Sequence, residues 1–389
     1  MNILYHHRTH GTGAEGVHIA YIIKGLRDLG HKVDVISPNN IDPTLTAGNN
    51  PFAADGKHKK NRFLLLSRKL PQIFFEWMEI GYNFVLFFKL WHQLKKESYQ
   101  LIYERQAFFC FVGALKAKKC NVPFIVEVNE VAGEKRVRKQ ICVGLAKRIE
   151  KYVFSKADAI IVVSEFLKKK IIELGIPSDK IHVIPNGVDE QLFNPQINAK
   201  SVREKYNISE DMVVIGFIGW FVQWHQLDRL IDVFAQLAST RDIRLMLVGD
   251  GDLKESLAQV AKEKGMLDKL IFSGAIKYQS IPAYIQAMDI CVIPASNEYR
   301  SPIKLFEYMA MAKPTVAPRF QAIESVVGEN EYGLLFNGEE AEDLKNKLEE
   351  LIENKQRRQE LGMKARQHIE QNFLWRHNAE KVLNIYKNI

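Results

Sequence analysis

The chain has 389 residues, is 47% apolar and carries 54 Lys and Arg against 46 Asp and Glu, an ordinary soluble composition with room for two α/β domains rather than one core. Four widely spaced cysteines (Cys110, Cys120, Cys142, Cys291) form no CxxC pair, which argues against a zinc site or a disulfide framework and for a reducing compartment. The charge is uneven. Residues 1–195 hold 29 Lys and Arg against 19 Asp and Glu, a net of +10, and the remainder 25 against 27, a net of −2. A basic half points to an anionic partner, with nucleic acid and an anionic membrane surface as candidates.

Met1-Asn2-Ile3-Leu4-Tyr5 opens as a buried strand rather than a signal peptide, so a cytoplasmic location is expected. Helical spacing follows over Gly16–Leu29 and stops at Gly30. Further strands are expected at Lys32–Ser37, Leu101–Tyr103, Phe124–Glu127, Ala159–Val163 and Ile181–Ile184. Their alternation with helices predicts a parallel sheet covered on both faces. The polar stretch 190–212 reads as a linker. The pattern then restarts with a strand at Val213–Ile218, a helix at Leu227–Ala238, strands at Arg244–Val248, Ile271–Ser273 and Ile290–Ile293, a helix at Ile303–Met311 and a strand at Pro314–Ala317. The expected organisation is an N-terminal domain over 1–195, a C-terminal domain over 196–373, and a last helix at about 374–389 that returns to the first domain. A cleft is expected where the two open sheets meet, beyond the carboxyl ends of their strands.

Residues 56–70, GKHKKNRFLLLSRKL, combine six Lys and Arg with an apolar run and no acid. Two readings stand: a solvated basic loop, and a segment that docks on anionic headgroups at the inner face of the cell membrane. No nucleic-acid motif accompanies the charge, so no nucleic-acid partner is expected. Residues 72–96 are rich in Phe and Trp but are interrupted by Glu76, Glu79 and Lys89. They are too polar to span a membrane and read as a packed helix of the first domain.

Two turns carry candidate chemistry. Gly11, Gly13 and Gly16 fall at the positions of G-x-G-x-x-G after the first strand, but no ribose-binding acid closes the second strand at Ile36-Ser37-Pro38. A structural turn and a binding loop are both open there. The stretch Asn297–Ala310 is more specific. A strand ends at Pro294, a polar loop follows, and Pro302 opens a helix whose first N–H groups suit phosphate oxygens. Arg300 and Lys304 flank that turn and could neutralise a diphosphate. Glu307 lies about one turn further on, where a carboxylate can accept both hydroxyls of a ribose. On spacing alone, a solvated surface helix is an equal reading.

The segment SPIKLFEYMAMAKPTVA (Ser301–Ala317) resembles the donor-site helix of retaining glycosyltransferases of family 4, which have the GT-B fold of two Rossmann-like domains. Other landmarks fall in the family's order: the Gly-rich turn with Leu29-Gly30-His31-Lys32-Val33, then HVIPNGVDEQLF (His182–Phe193), LVGDG (Leu247–Gly251) and Gly333-Leu334-Leu335-Phe336. The resemblance implies that Glu307 binds the donor ribose and that Ser301, Pro302, Ile303 and Lys304 match the loop whose backbone N–H groups hold the diphosphate. It places Gly219, Gly249 and Gly251 near the nucleotide. The Gly13, Ala14, Glu15 and Gly16 turn, with His18 and Arg105, is assigned to the acceptor side. No metal or cofactor is implied. The substrate is a nucleotide-diphosphate sugar, UDP favoured over GDP, and the partner a glycan or lipid-linked acceptor for cell-surface polysaccharide or glycolipid synthesis.

The chain departs from the family pattern at two places. The first glutamate of the E-x7-E motif falls at Tyr299. The Arg and Lys that often follow the first turn of the C-terminal domain are absent, since Trp220 follows Gly219 and Trp224-His225-Gln226 stands near the lysine position. Arg300 and Lys304 are expected to take over the cationic role, with a hydrogen bond from His225. Glu127 or Asn129 is expected to touch the sugar or the acceptor, against a reading as a capped strand end. A non-catalytic nucleotide-sugar-binding scaffold and a nucleotide-sugar epimerase are the alternatives to a hexosyl- or N-acetylhexosaminyltransferase.

Overall fold

The computed structural model describes residues 1–9, 11, 13–46, 72–134 and 140–389; the segment 56–70 lies outside the described residues. The chain forms two compact units, Met1–Pro185 with Arg376–Ile389, and Asn186–Trp375.

In the first unit, β1 (Asn2–His6) pairs in parallel with β2 (Lys32–Ile36) on one side and β3 (Leu101–Arg105) on the other. Strands β4 (Phe124–Val128), β5 (Ala159–Val162) and β6 (Ile181–Val183) continue the sheet in the order 2-1-3-4-5-6. Every residue of β3, β4 and β5 is buried, which is why these strands read as apolar runs rather than alternating ones. The helix Gly13–Asp28 connects β1 to β2. Its end is fixed by Gly30, whose φ of +84° lets the N–H of His31 reach back to Leu26.

The second unit repeats the plan. Strands β7 (Val213–Ile218), β8 (Ile243–Val248), β9 (Leu270–Gly274), β10 (Ile290–Val292), β11 (Thr315–Pro318) and β12 (Leu334–Phe336) form a parallel sheet in the order 12-11-10-7-8-9. Its core packs Phe217, Leu230, Phe234, Leu247 and Phe336. In each unit the chain leaves its first strand in one direction and returns on the other side. The crossover lies at β1/β3 in the first unit and at β7/β10 in the second, where open α/β sheets hold ligands.

The boundary falls at Pro185/Asn186, ahead of the expected 195/196. Asn186 donates to the Ser301 Oγ at 3.0 Å, Val188 bridges Leu374, and the carbonyl of fully buried Phe193 accepts from Arg366 at 2.7 Å. The stretch 190–212 is likewise no linker. It contains the helix Lys200–Lys205, whose Arg203 braces it internally on the carbonyls of Ser209 and Met212 and ties it to the carbonyl of Ala287. The closing helix Trp375–Lys387 counts with the first unit from Arg376 on, where Asn378 donates to the Pro185 carbonyl at 2.8 Å.

Candidate active site

In the second unit, the turns after β7 and β8 meet beside the β7/β10 crossover. The N–H of Gly219, after β7, donates to Val248, and the N–H of Phe221 donates to Asp250, so the turn after β7 lies against the turn after β8. The approach is close enough to require glycine. A Cβ on Gly249 would stand 2.0 Å from the Gly219 carbonyl oxygen, and one on Gly251 would stand 2.5 Å from that of Phe221. Gly219 makes room for a cation: a Cβ there would stand 2.6 Å from the Nζ of Lys304.

Lys304 comes from the helix Ile303–Ala310, which follows β10 and opens after Pro302 with no side-chain cap. The first N–H groups of such a helix lack intrahelical acceptors, and its dipole favours an anion. The loop before it is held from behind. Asn186 donates its N–H to the Ser301 Oγ and its side-chain amide to the Ser301 carbonyl. This gives the Pro185-Asn186-Gly187 motif a structural role. Tyr299 is buried, and the Arg300 guanidinium lies 5.3 Å from the Trp224 ring and 5.5 Å from the Tyr299 ring, within cation–π range.

The Lys304 Nζ lies 4.1 Å from the Phe217 ring centre and 3.4 Å from His225 Nε2. His225 Nδ1 lies 3.4 Å from the Ala295 carbonyl, which assigns the proton to Nδ1 and leaves Nε2 as acceptor. Burial, and then the charge of Lys304, hold this imidazole neutral well below its ordinary range. Burial pulls the Lys304 ammonium down to about 7, with Arg300 pushing the same way and Glu307 opposing. Glu307, 5% exposed, is the mirror case: burial lifts its carboxyl to about 7, against a hydrogen bond from Tyr278 and the charge of Lys304. The Tyr278 hydroxyl donates to Glu307 Oε1 at 2.9 Å. Both residues therefore sit inward, and neither reads as a solvated helix side chain. A diphosphate placed against Lys304 would restore its full charge.

In the first unit Glu127, on β4, is 1% exposed and surrounded by donors. Its Oε1 accepts from Arg105 at 2.6 Å and Asn129 at 2.8 Å and lies 2.8 Å from His18 Nε2. Its Oε2 accepts from Tyr103 at 2.8 Å. Burial alone would raise this carboxyl, but His18, Arg105 and Tyr103 outweigh it and hold it well below the usual carboxylate range. A cavity of about 10 Å³ adjoins Glu127, His18 and Tyr103, room for at most one water. Glu127 and Asn129, the residues expected to touch sugar or acceptor, are bonded to each other, and Glu127 also holds Arg105 and His18 in place. The Gly-rich turn closes beside this cluster. A Cβ on Gly16 would stand 2.3 Å from the Gly11 carbonyl oxygen, Gly13 and Ala14 open the helix, and Glu15 is exposed in its first turn.

Sequence reasoning missed Tyr278, Phe217 and Tyr103, and it gave no partner to Asn186 or Trp224 although both lie in stretches it singled out. It also missed a buried trio. Ligand atoms of His6, Glu104 and Cys110 lie within 4.8 Å of one another. The two ring nitrogens of His6 are already engaged, Nδ1 with Glu104 at 2.8 Å and Nε2 with the Tyr82 hydroxyl at 3.2 Å.

Two family models match the chain: Glycosyltransferase Family 4 over residues 15–192 and Glycosyl transferases group 1 over residues 198–368. Between them the matches take in most of the sequence, and the chain belongs to this glycosyltransferase family. An MMP alpha-(1->4)-mannosyltransferase of Mycolicibacterium hassiacum is 23% identical over 98% of this chain and 96% of its own length. An uncharacterized glycosyltransferase of Methanocaldococcus jannaschii is also 23% identical, over 78% of this chain and 79% of its own. The solved structure of Anabaena HepE in complex with UDP superposes over 100% of both chains with a TM-score of 0.78 at 19% identity. A sucrose-phosphate synthase from Thermosynechococcus elongatus covers 100% of this chain and 98% of its own with a TM-score of 0.75 at 18% identity. The fold is GT-B, and the protein is a glycosyltransferase.

Proposed function

We propose that the protein transfers a hexosyl or N-acetylhexosaminyl group, with retention of anomeric configuration, from a UDP-sugar to a lipid-linked or membrane-proximal glycan. The observation that carries this reading is the convergence of Lys304, Glu307 and an uncapped helix N-terminus on the β7/β10 crossover. A diphosphate would lie on the N–H groups of Ser301, Ile303 and Lys304 and against the Lys304 and Arg300 side chains, and Glu307 would accept from the ribose hydroxyls. Choice of UDP is supported by Anabaena HepE, which has been solved with UDP-glucose as well as UDP. The acceptor class is supported by the net +10 of residues 1–195.

In this mechanism the bond from the anomeric carbon to the diphosphate oxygen breaks, and the developing negative charge falls on Lys304, Arg300 and the helix N-terminus. The acceptor hydroxyl attacks the same face, and its proton passes to the departing phosphate oxygen. Glu127, engaged by Arg105, His18, Asn129 and Tyr103, holds Arg105 and His18 for the acceptor rather than taking that proton. The chemistry asks nothing of a metal. Sugar transfer is to be measured with UDP- and GDP-sugars, with the product anomer read by NMR. Lys304→Ala and Glu307→Ala variants that turn over like the parent would refute the assigned donor site.

A further inference from the structure

The helix Gln72–Lys96 is amphipathic in an unusual sense. Glu76, Asn83, Leu86 and Leu90 are buried. Between residues 74 and 91, every residue on the exposed face is Phe74, Trp77, Met78, Gly81, Phe84, Val85, Phe88 or Trp91. Their steps of three and four place them on one stripe. Exposure reaches 66% at Trp77 and 71% at Phe84. Residues 72–96 are therefore only half of the packed helix expected from the sequence.

Neither acid of the helix is available to this face. Glu76 accepts from the N–H groups of Ile141 and Cys142, and Glu79 pairs with Arg8 at 2.7 Å. Beyond the stripe the exposed residues turn basic: His92, Lys95 and Lys96, with the Lys95 Nζ 4.0 Å from the Trp91 ring centre. In sequence the helix is preceded by the six Lys and Arg of 56–70. No described helix is long and apolar enough to cross a membrane.

We infer that this stripe inserts into the interfacial layer of an anionic lipid bilayer, with the helix lying in the membrane plane. Apolar and aromatic residues on one face, Trp at both ends and basic residues beside them are the composition of an interfacial helix. A second copy of the chain is a poorer occupant. The stripe is about 26 Å long and one helix, about 10 Å, wide, roughly 260 Å², against the ~800 Å² per partner of a stable interface. The inference deepens the membrane-proximal acceptor reading and rests on it for its purpose, though not for its geometry.

The test uses the full chain with vesicles of phosphatidylcholine, with and without phosphatidylglycerol. The parent should sediment with the phosphatidylglycerol vesicles, and its tryptophan emission should shift to the blue. Phe84→Ser with Phe88→Ser should bind those vesicles at least about tenfold more weakly while keeping UDP affinity and nearly the parent thermal midpoint, since Phe84 is largely and Phe88 about half solvated. Lys95→Glu with Lys96→Glu should lower the preference for phosphatidylglycerol. Equal sedimentation of parent and Phe84→Ser/Phe88→Ser would overturn the inference, as would a parent that ignores vesicles and forms a dimer which the same substitutions dissociate. Transfer to a detergent-dispersed lipid acceptor reports the acceptor assignment separately. Vesicle binding with no such transfer would fault that assignment and leave the docking surface standing.

Discussion

The Tyr278 hydroxyl donates to Glu307 Oε1 at 2.9 Å, a hydrogen bond on a carboxyl that burial otherwise pushes toward its neutral form. Removing it should raise the Glu307 carboxyl further above about 7. A ribose needs the carboxylate as acceptor, so donor affinity falls as pH drops through the Glu307 value. Tyr278→Phe should therefore move the acid limb of kcat/KM against pH to higher pH and raise KM several-fold near neutrality. Glu307→Gln should flatten that limb. An unshifted acid limb in Tyr278→Phe would separate the limb from Glu307.

Lys304 sets the opposite limb. Burial lowers its ammonium to about 7, so raising the pH through that value should neutralise it in the free protein. A bound diphosphate favours the charged form. Binding near pH 8 should then take up about one proton, and affinity should fall by up to about tenfold per unit as pH rises above 7. Calorimetry of UDP binding in buffers of different ionisation enthalpy reads the proton directly. Lys304→Ala should abolish the uptake and lower kcat by about 100-fold or more, the scale of losing a charge stabiliser in a transition state.

Gly219 and Gly249 should fail differently. An added methyl on Gly219 meets the movable tip of Lys304 at 2.6 Å, whereas one on Gly249 meets the Gly219 backbone oxygen at 2.0 Å. With φ at +150°, Gly219→Ala is strained and should lose some stability, though less than Gly249→Ala, and in addition diphosphate affinity, because the ammonium is pushed off its place. Gly249→Ala should lose stability by about 1–3 kcal/mol, the range for overpacking. Thermal melts beside UDP titrations distinguish the two, and equal melting losses would contradict the assignment.

The helix after Pro302 was legible because its signals are local: a strand end, a polar loop, a proline at the helix entry and cations one turn apart. What Gly219 is for was not, because the atom that needs the space belongs to Lys304, far along the chain. Tyr278 stayed hidden for the same reason. The stretch 190–212 looked like a linker on polarity alone, yet Phe193 is fully buried, with its ring 5.7 Å from that of Tyr278. Glu127 did leave a trace, a lone acid in the apolar run Phe124–Val128. Its neighbour was readable only through register, since β3 and β4 place Arg105 opposite Glu127.

That pairing yields the last prediction. The Glu127 carboxyl is depressed in the folded protein, so its contribution to stability is present above the unfolded value of 4.5 and is lost as pH falls below it. Glu127→Gln leaves Arg105 and His18 facing a neutral amide, and breaking a buried pair in this way costs about 3–5 kcal/mol. The variant should melt well below the parent at pH 7, and the gap should narrow as both are taken to strongly acid pH, where the parent carboxylate is protonated too. Acceptor KM should rise more than donor KM, because Arg105 and His18 lose their anchor while Lys304 and Glu307 keep theirs. A melting gap that does not depend on pH would mean that Glu127 serves packing and not charge.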